Sequence, residues 1–221
     1  LAAGLYFFVK NPEKSENLDK GSFFDLLKIR QLWFILPLVL IHYAPVAGIR
    51  GLWIGPYIND NFYSASNLAF ATTAMSLAMI AGTFAYGPMD RIFSTRKWII
   101  FIGSSVSLVS LISLALFNEI SFNVAVFLFC TLGFFGMSYP LMIAHGRSFS
   151  PENLTGRCVT LLNMFAIGGV GIFQFLTGRI FSKLTEVHNN NHEAYTIIFL
   201  FYASALFLGL ILYLKSKDRL D

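Results

Sequence analysis

LWFILPLVLIHYAPVAGIRGLWIGPY, residues Leu32–Tyr57, is the stretch on which the fold turns. It is apolar and long enough to cross a bilayer as a helix, which takes about 20 residues. Yet it carries Pro37, Pro45, Gly48, Gly51, Gly55 and Pro56, and near its end an arginine, Arg50. A charged side chain in hydrocarbon is expensive, so it faces a water-filled cavity or a partner. Interrupted backbone at membrane depth is tolerated only where protein or a cavity covers it. Together the breaks and the charge point to a polar path through a membrane.

Composition agrees. The chain is 56% hydrophobic and 13% charged, against about 25% charged in a soluble domain, and its mean hydropathy is +0.64. The 24 phenylalanines suit lipid-facing helix surfaces. A net charge of +4 is no sign of nucleic-acid binding here, because the basic residues alternate between loops. Two scattered cysteines, Cys130 and Cys158, give neither a disulfide framework nor a metal site. His188 and His192 have the i,i+4 spacing of a helical metal pair, but the run HNNNH reads as a polar loop. No metal and no cofactor is expected.

Outward from Leu32–Tyr57, five more apolar runs predict spanning helices: Leu68–Gly87, Trp98–Phe117, Phe122–Ala144, Val159–Gly178 and Ala194–Leu214. Leu1–Val9 reads as the end of a preceding span, and residues 10–31 as a linker. Its last part, Ser22–Arg30, is amphipathic, with Phe23, Phe24, Leu27 and Lys28 placed to lie on a membrane surface. Ser22 and Asp25 have capping-box spacing. It reads equally as the plain start of the next span.

Lys and Arg mark cytoplasmic loops. They crowd residues 10–30, the loop after Gly87, the loop after Ala144 and the C-terminal tail, and are absent from residues 59–67 and 118–121. Arg179 and Lys183 are the exception. The pattern predicts a multi-pass membrane protein, all-α, with its C-terminus cytoplasmic. Its six spans form two three-helix units of inverted topology. The first span of each unit is the irregular one, since Phe122–Ala144 carries Gly133, Gly136 and Pro140. Interrupted spans at matching positions point to a binding site between repeats.

On an unbroken helix, at about 100° per residue, His42, Tyr43, Arg50, Trp53 and Tyr57 share one face. That face would line a cavity in which Arg50 holds an anionic group by its fork. Two readings of it stand: a cavity lining, or Arg50 snorkelling to an interface with Trp53 and Tyr57 in an aromatic belt. Asn163 and Gln174 share a face of the fifth span and would coordinate a polar solute or bond a neighbouring helix. In the fourth span Thr131, Ser138 and Met142 share a face with Tyr139 at its edge. No Asp or Glu lies inside a full span. Either a coupling carboxylate lies upstream, or His42 carries the proton, or no proton drives the path.

The loop YGPMDRIFSTRK, Tyr86–Lys97, resembles the signature loop of the major facilitator superfamily: a glycine, an Asp-Arg pair, then a basic cluster. Asp90, Arg91, Arg96 and Lys97 stand in those roles, while Tyr86 and Phe93 occupy the usual glycine positions. GLWIGPYIND (51–60) and HGRSFSPENLTGR (145–157) are similar to segments of bacterial carriers of that family. The resemblance implies the C-terminal six-helix bundle of a twelve-helix transporter in a bacterial inner membrane. An N-terminal bundle, a small-molecule solute and the lipid bilayer would be its partners. It implies secondary transport by alternating access, and no enzyme. Asp90, Arg91 and Arg96 would form a cytoplasmic gate, with Arg147 and Arg157 in its counterpart. The rival readings are a membrane enzyme acting on lipid-linked substrates, with His145, Arg147 and Glu152 near the surface, and a half-size carrier or channel working as a dimer.

Overall fold

A computed structural model describes residues 22–117, 120–188 and 191–220. The expected end of an upstream span, at residues 1–9, and residues 10–21 of the expected linker lie outside them. The fold is all-α. Six helical spans long and apolar enough to cross a membrane follow one another: Arg30–Phe62, Ala65–Phe93, Lys97–Leu116, Phe122–Arg147, Glu152–Glu186 and Asn191–Tyr213. A short helix, Phe23–Leu27, precedes them; Ser22 and Asp25 cap it reciprocally. The indole of Trp33 donates to its last carbonyl, that of Leu27, at 2.7 Å. This bond joins the short helix to the first span.

Two helices run further than hydropathy predicts. The second continues through Gly87, Pro88 and Asp90 to Phe93, and stops where Ser94 turns left-handed at φ 51°. The fifth continues past Gly178 to His188, and the sixth begins at Asn191. The polar run expected to be a long loop is therefore mostly helix. Residues 179–188 contain no proline or glycine to stop it, only good helix formers such as Lys183, Leu184 and Glu186. Hydropathy marks where a helix leaves the apolar layer, not where its backbone ends.

The first span is the hub. It packs on the fifth and sixth, the second packs on the fourth, and the third on the fourth and sixth. Of its apolar window 67% is buried, against 17% for the second span and 28% for the fifth. The outward sides of these two carry Phe70, Leu77, Phe84, Ile167 and Phe175. Gly169 lets the first and fifth spans touch, because a Cβ there would overlap the Leu40 carbonyl.

Both irregular spans break at their middles, and each restarts with a proline in its first turn. Pro45 has no N–H for the carbonyl of Ile41 and its ring crowds that carbonyl. The first span accordingly halts at His42 and restarts at Ala44 with Pro45 in the new first turn. It then widens into a π turn at Ile49–Trp53 before resuming at Ile54. The fourth span tightens to a 3₁₀ turn at Gly136–Ser138 and restarts at Tyr139 with Pro140 in the first turn. The two breaks face each other. Gly136 lies so close to Val46 that a Cβ would overlap one of its methyl groups. His42, one residue before the first break, bonds Ser138 within the second at 2.9 Å.

Candidate functional site

The breaks reset the register of the first span, so its polar residues do not share one face. His42 is buried, with Nδ1 3.0 Å from Ser104 Oγ and Nε2 2.9 Å from Ser138 Oγ. Both ring nitrogens are used in tying the first, third and fourth spans together. Trp53 is buried too, and its Nε1 donates to Thr177 Oγ1 on the fifth span at 3.1 Å. Tyr57 is 3% exposed. Its ring meets Phe129, Tyr195 and Phe199 with centroids 5.5, 5.3 and 5.6 Å away, all at steep angles. The single polar wedge of an unbroken helix is thus not formed. These three residues pack the interior, while Tyr43 and Arg50 reach its surface.

Two groups of accessible polar residues result, one on each flank of the first span. On the fifth-span side the Tyr43 and Tyr139 rings lie 5.4 Å apart at 30°. The Tyr139 hydroxyl donates to the side-chain oxygen of Asn163. Gln174 lies further along the same seam, its Nε2 against the Cβ direction of Gly51. On the second-span side Arg50, exposed on the π turn, donates from Nε to Ser76 Oγ at 3.0 Å. It lines a cavity of about 250 Å³ with Ser76, Met79, Ile80, Thr83 and Met137. Arg50 thus bonds the second span, whereas Tyr139 bonds Asn163 on the fifth.

A larger cavity, about 530 Å³, opens at the end of the bundle that carries the C-terminus. Asp90, Arg91, Arg96 and Arg147 line it together with Thr83, Tyr86 and Leu220. Asp90 pairs with Arg96, Oδ2 to Nε at 3.0 Å, with both side chains nearly buried. Arg157 does not line this cavity. It sits on the first turn of the fifth span and acts on Asp25 of the short helix. The Asp25 carboxyl is held below its ordinary value, first by the hydrogen bond from Lys28 and then by the N–H of Ser22.

Sequence reasoning passed over three contributors. Ser76 and Thr177 are lone hydroxyls in apolar runs. Asp218 lies in a tail whose charges read as a topology signal. That tail folds back: Asp218 Oδ1 accepts from the N–H groups of Arg96 and Lys97 at 3.2 and 3.0 Å, and Oδ2 from the Thr95 hydroxyl. Burial pushes the Asp218 carboxyl up, but these bonds outweigh it and hold it below the ordinary carboxylate value. His145 is buried, its ring nitrogens bonded to the Tyr213 hydroxyl and the Lys217 carbonyl. It is not presented to Glu152, which lies exposed on a surface turn. The acid–histidine pair that a membrane hydrolase would need is not assembled from these residues. Among the described residues no cluster of His, Cys, Asp and Glu could hold a metal ion. The side chain of His188 lies outside them.

The sequence profile of the Major Facilitator Superfamily matches residues 38–220. No curated protein sequence matches the chain. In three dimensions it is similar to the inward-open conformation of the xylose transporter XylE from E. coli. The TM-score is 0.67 at 18% sequence identity, and the match covers 89% of this chain. The chain spans about half of that transporter, 48% of its length. At this identity the likeness is one of fold.

Proposed function

The chain belongs to the major facilitator superfamily, a family of membrane transporters, and we propose that it is one bundle of a secondary carrier for a small polar solute. A second six-helix bundle completes the path, and the two rock about a central site in alternating access. The charged end, with Asp90 and the C-terminus, faces the cytoplasm of a bacterial inner membrane, as the Lys and Arg distribution favours.

One observation carries this reading. The cavity at Arg50 and the cavity at Asp90 share Thr83. Ser76, Thr83, Gly87 and Asp90 follow one another at helical spacing down a single face of the second span. A polar track therefore leads from the π turn of the first span to the charged end. A solute reaching Arg50 has a way out along it, and Asp90 with Arg91 and Arg96 stands where a gate would close it. π turns inside helices are frequent at functional sites.

Arg50 favours an anionic solute, which its guanidinium would hold by paired hydrogen bonds. The other flank favours a second reading. Two phenol rings tilted against each other beside Asn163, with Gln174 beyond, suit a neutral polyhydroxy solute, the class to which the xylose of the similar transporter belongs. Uptake by the intact carrier in whole cells, with expression checked, separates the two. For an anionic solute, Arg50→Ala abolishes uptake and Asn163→Ala weakens it. For a polyhydroxy solute the order reverses. Normal uptake by Arg50→Ala removes that residue from the site.

A further inference from the structure

The C-terminal tail touches the bundle at three separate places. The N–H of Lys217 donates to Gln31 Oε1 at the start of the first span, at 3.0 Å. The carbonyl of Lys217 meets His145 Nε2 at the end of the fourth, at 2.9 Å. Asp218 takes the hydroxyl of Thr95, the N–H of Arg96 just before the third span and the N–H of Lys97, the first of that span. Lys97 returns the contact, its Nζ donating to the carbonyls of Leu214 and Ser216 at 2.8 and 2.6 Å. The last described residue of the tail, Leu220, forms part of the wall of the charged cavity.

Arg96 is the link between this tail and the cavity. Its backbone is held by Asp218 and its side chain by Asp90. Thr95 and Arg96 follow the left-handed turn at Ser94, where the second helix has ended and the third has not begun. Arg96 is the N-cap of the third helix: its carbonyl takes the first helical bond, from the Ile100 N–H at 3.1 Å, but its own N–H needs a constraint from outside the helix. A carboxylate on the first N–H groups of a helix supplies that constraint, through charge-assisted bonds and the helix dipole.

We propose that Asp218 is a positioning residue for the gate: by capping the third span it keeps the Arg96 guanidinium on Asp90, so that the tail belongs to the closure of the charged cavity. The inference rests on the gate reading above. With the cap in place, Asp90 is neutralised by Arg96 and the mouth of the cavity is shaped by Arg91, Arg147 and Leu220. Without it the start of the third span shifts, the Asp90–Arg96 pair loosens and the cavity opens more often. Any rearrangement that opens the gate must carry the tail along or release it.

The test uses the intact carrier in inside-out membrane vesicles, with Cys130→Ser, Cys158→Ala and a reporter Ala144→Cys in the cavity wall. The rate of alkylation by N-ethylmaleimide is read. Asp90→Asn and Asp218→Ala are each expected to raise it about fivefold or more, Asp218→Glu much less. The double variant should exceed neither single one by much, because both act on Arg96. If Asp90→Asn raises the rate and Asp218→Ala lowers only the melting temperature, the tail is structural and the proposal fails while the gate stands. If neither changes the rate, the gate reading fails and takes the proposal with it. Should Asp218→Ala not accumulate, Thr95→Val, which removes one bond to the same carboxylate, is read in its place. A smaller rise supports the proposal and an unchanged rate overturns it.

Discussion

The two ends of the bundle are closed by different physics. At the end that carries the C-terminus, the spans meet through charges: Asp90 on Arg96, Asp218 on Thr95, Arg96 and Lys97, and His145 on the tail backbone. At the other end they meet through rings: Tyr57 against Phe62, Phe129, Tyr195 and Phe199, with Phe181 bridging Trp53 and Tyr195. Asp60 adds one polar clasp there, accepting from Tyr195 and Asn191. Ring packing has many small contacts and tolerates no vacancy, whereas an ion pair has one strong contact that can be exchanged for another. The ringed end is held by packing, and the charged end by pairs that can be exchanged.

Removing a ring should therefore cost most. Tyr57→Ala takes the centre out of a five-ring cluster, and large-to-small changes of this kind cost about 3–5 kcal/mol in soluble cores. Thermal unfolding in detergent should show a fall of many degrees. A Tyr57→Phe variant, which keeps the ring, should remain near the parent. A small effect of Tyr57→Ala would mean that the rings fill space without holding it.

Asp90→Asn comes next. It leaves Arg96, whose side chain is 8% exposed, facing a neutral amide. Breaking a buried pair by removing one partner costs about 3 kcal/mol or more, and the accessible mouth of the cavity reduces that here. The expected signature is functional: slower turnover with solute binding retained, measured by uptake rate and equilibrium binding on the same preparation. Unchanged turnover would make the charged end a static clasp like the ringed one.

The same contrast marks what could be seen in the sequence. Six spans and two irregular ones follow from apolar length and from Pro45 and Pro140, because hydropathy and proline act locally. Which residues meet across spans does not. The wedge holding His42, Tyr43, Arg50, Trp53 and Tyr57 assumed a constant turn angle, and the break between His42 and Ala44 and the π turn at Ile49–Trp53 undid it. Tyr43 and Tyr139 could be paired only once the two breaks were seen to face each other. Asp218 was hidden for another reason. A capping carboxylate is recognisable beside the helix it caps, and this one caps from 122 residues away in sequence.

The smallest effect, and the one that separates the ends most cleanly, is that of acid. The folded Asp218 carboxyl lies below its ordinary value of 3.8, because its hydrogen bonds favour the charged form more than burial opposes it. A depressed carboxylate contributes stability that is fully present above the unfolded value and is lost as pH falls through the folded one. Protonating Asp218 should thus loosen the start of the third span as the medium is taken below about pH 4. Backbone hydrogen exchange, corrected for its own pH dependence, reads the two ends separately. Arg96 and Lys97 should lose protection over that window and Tyr57 should not, since ring packing carries no proton. Equal loss at both ends would mean that acid unfolds the bundle as a whole, and that the charged end has no independent freedom with which to gate.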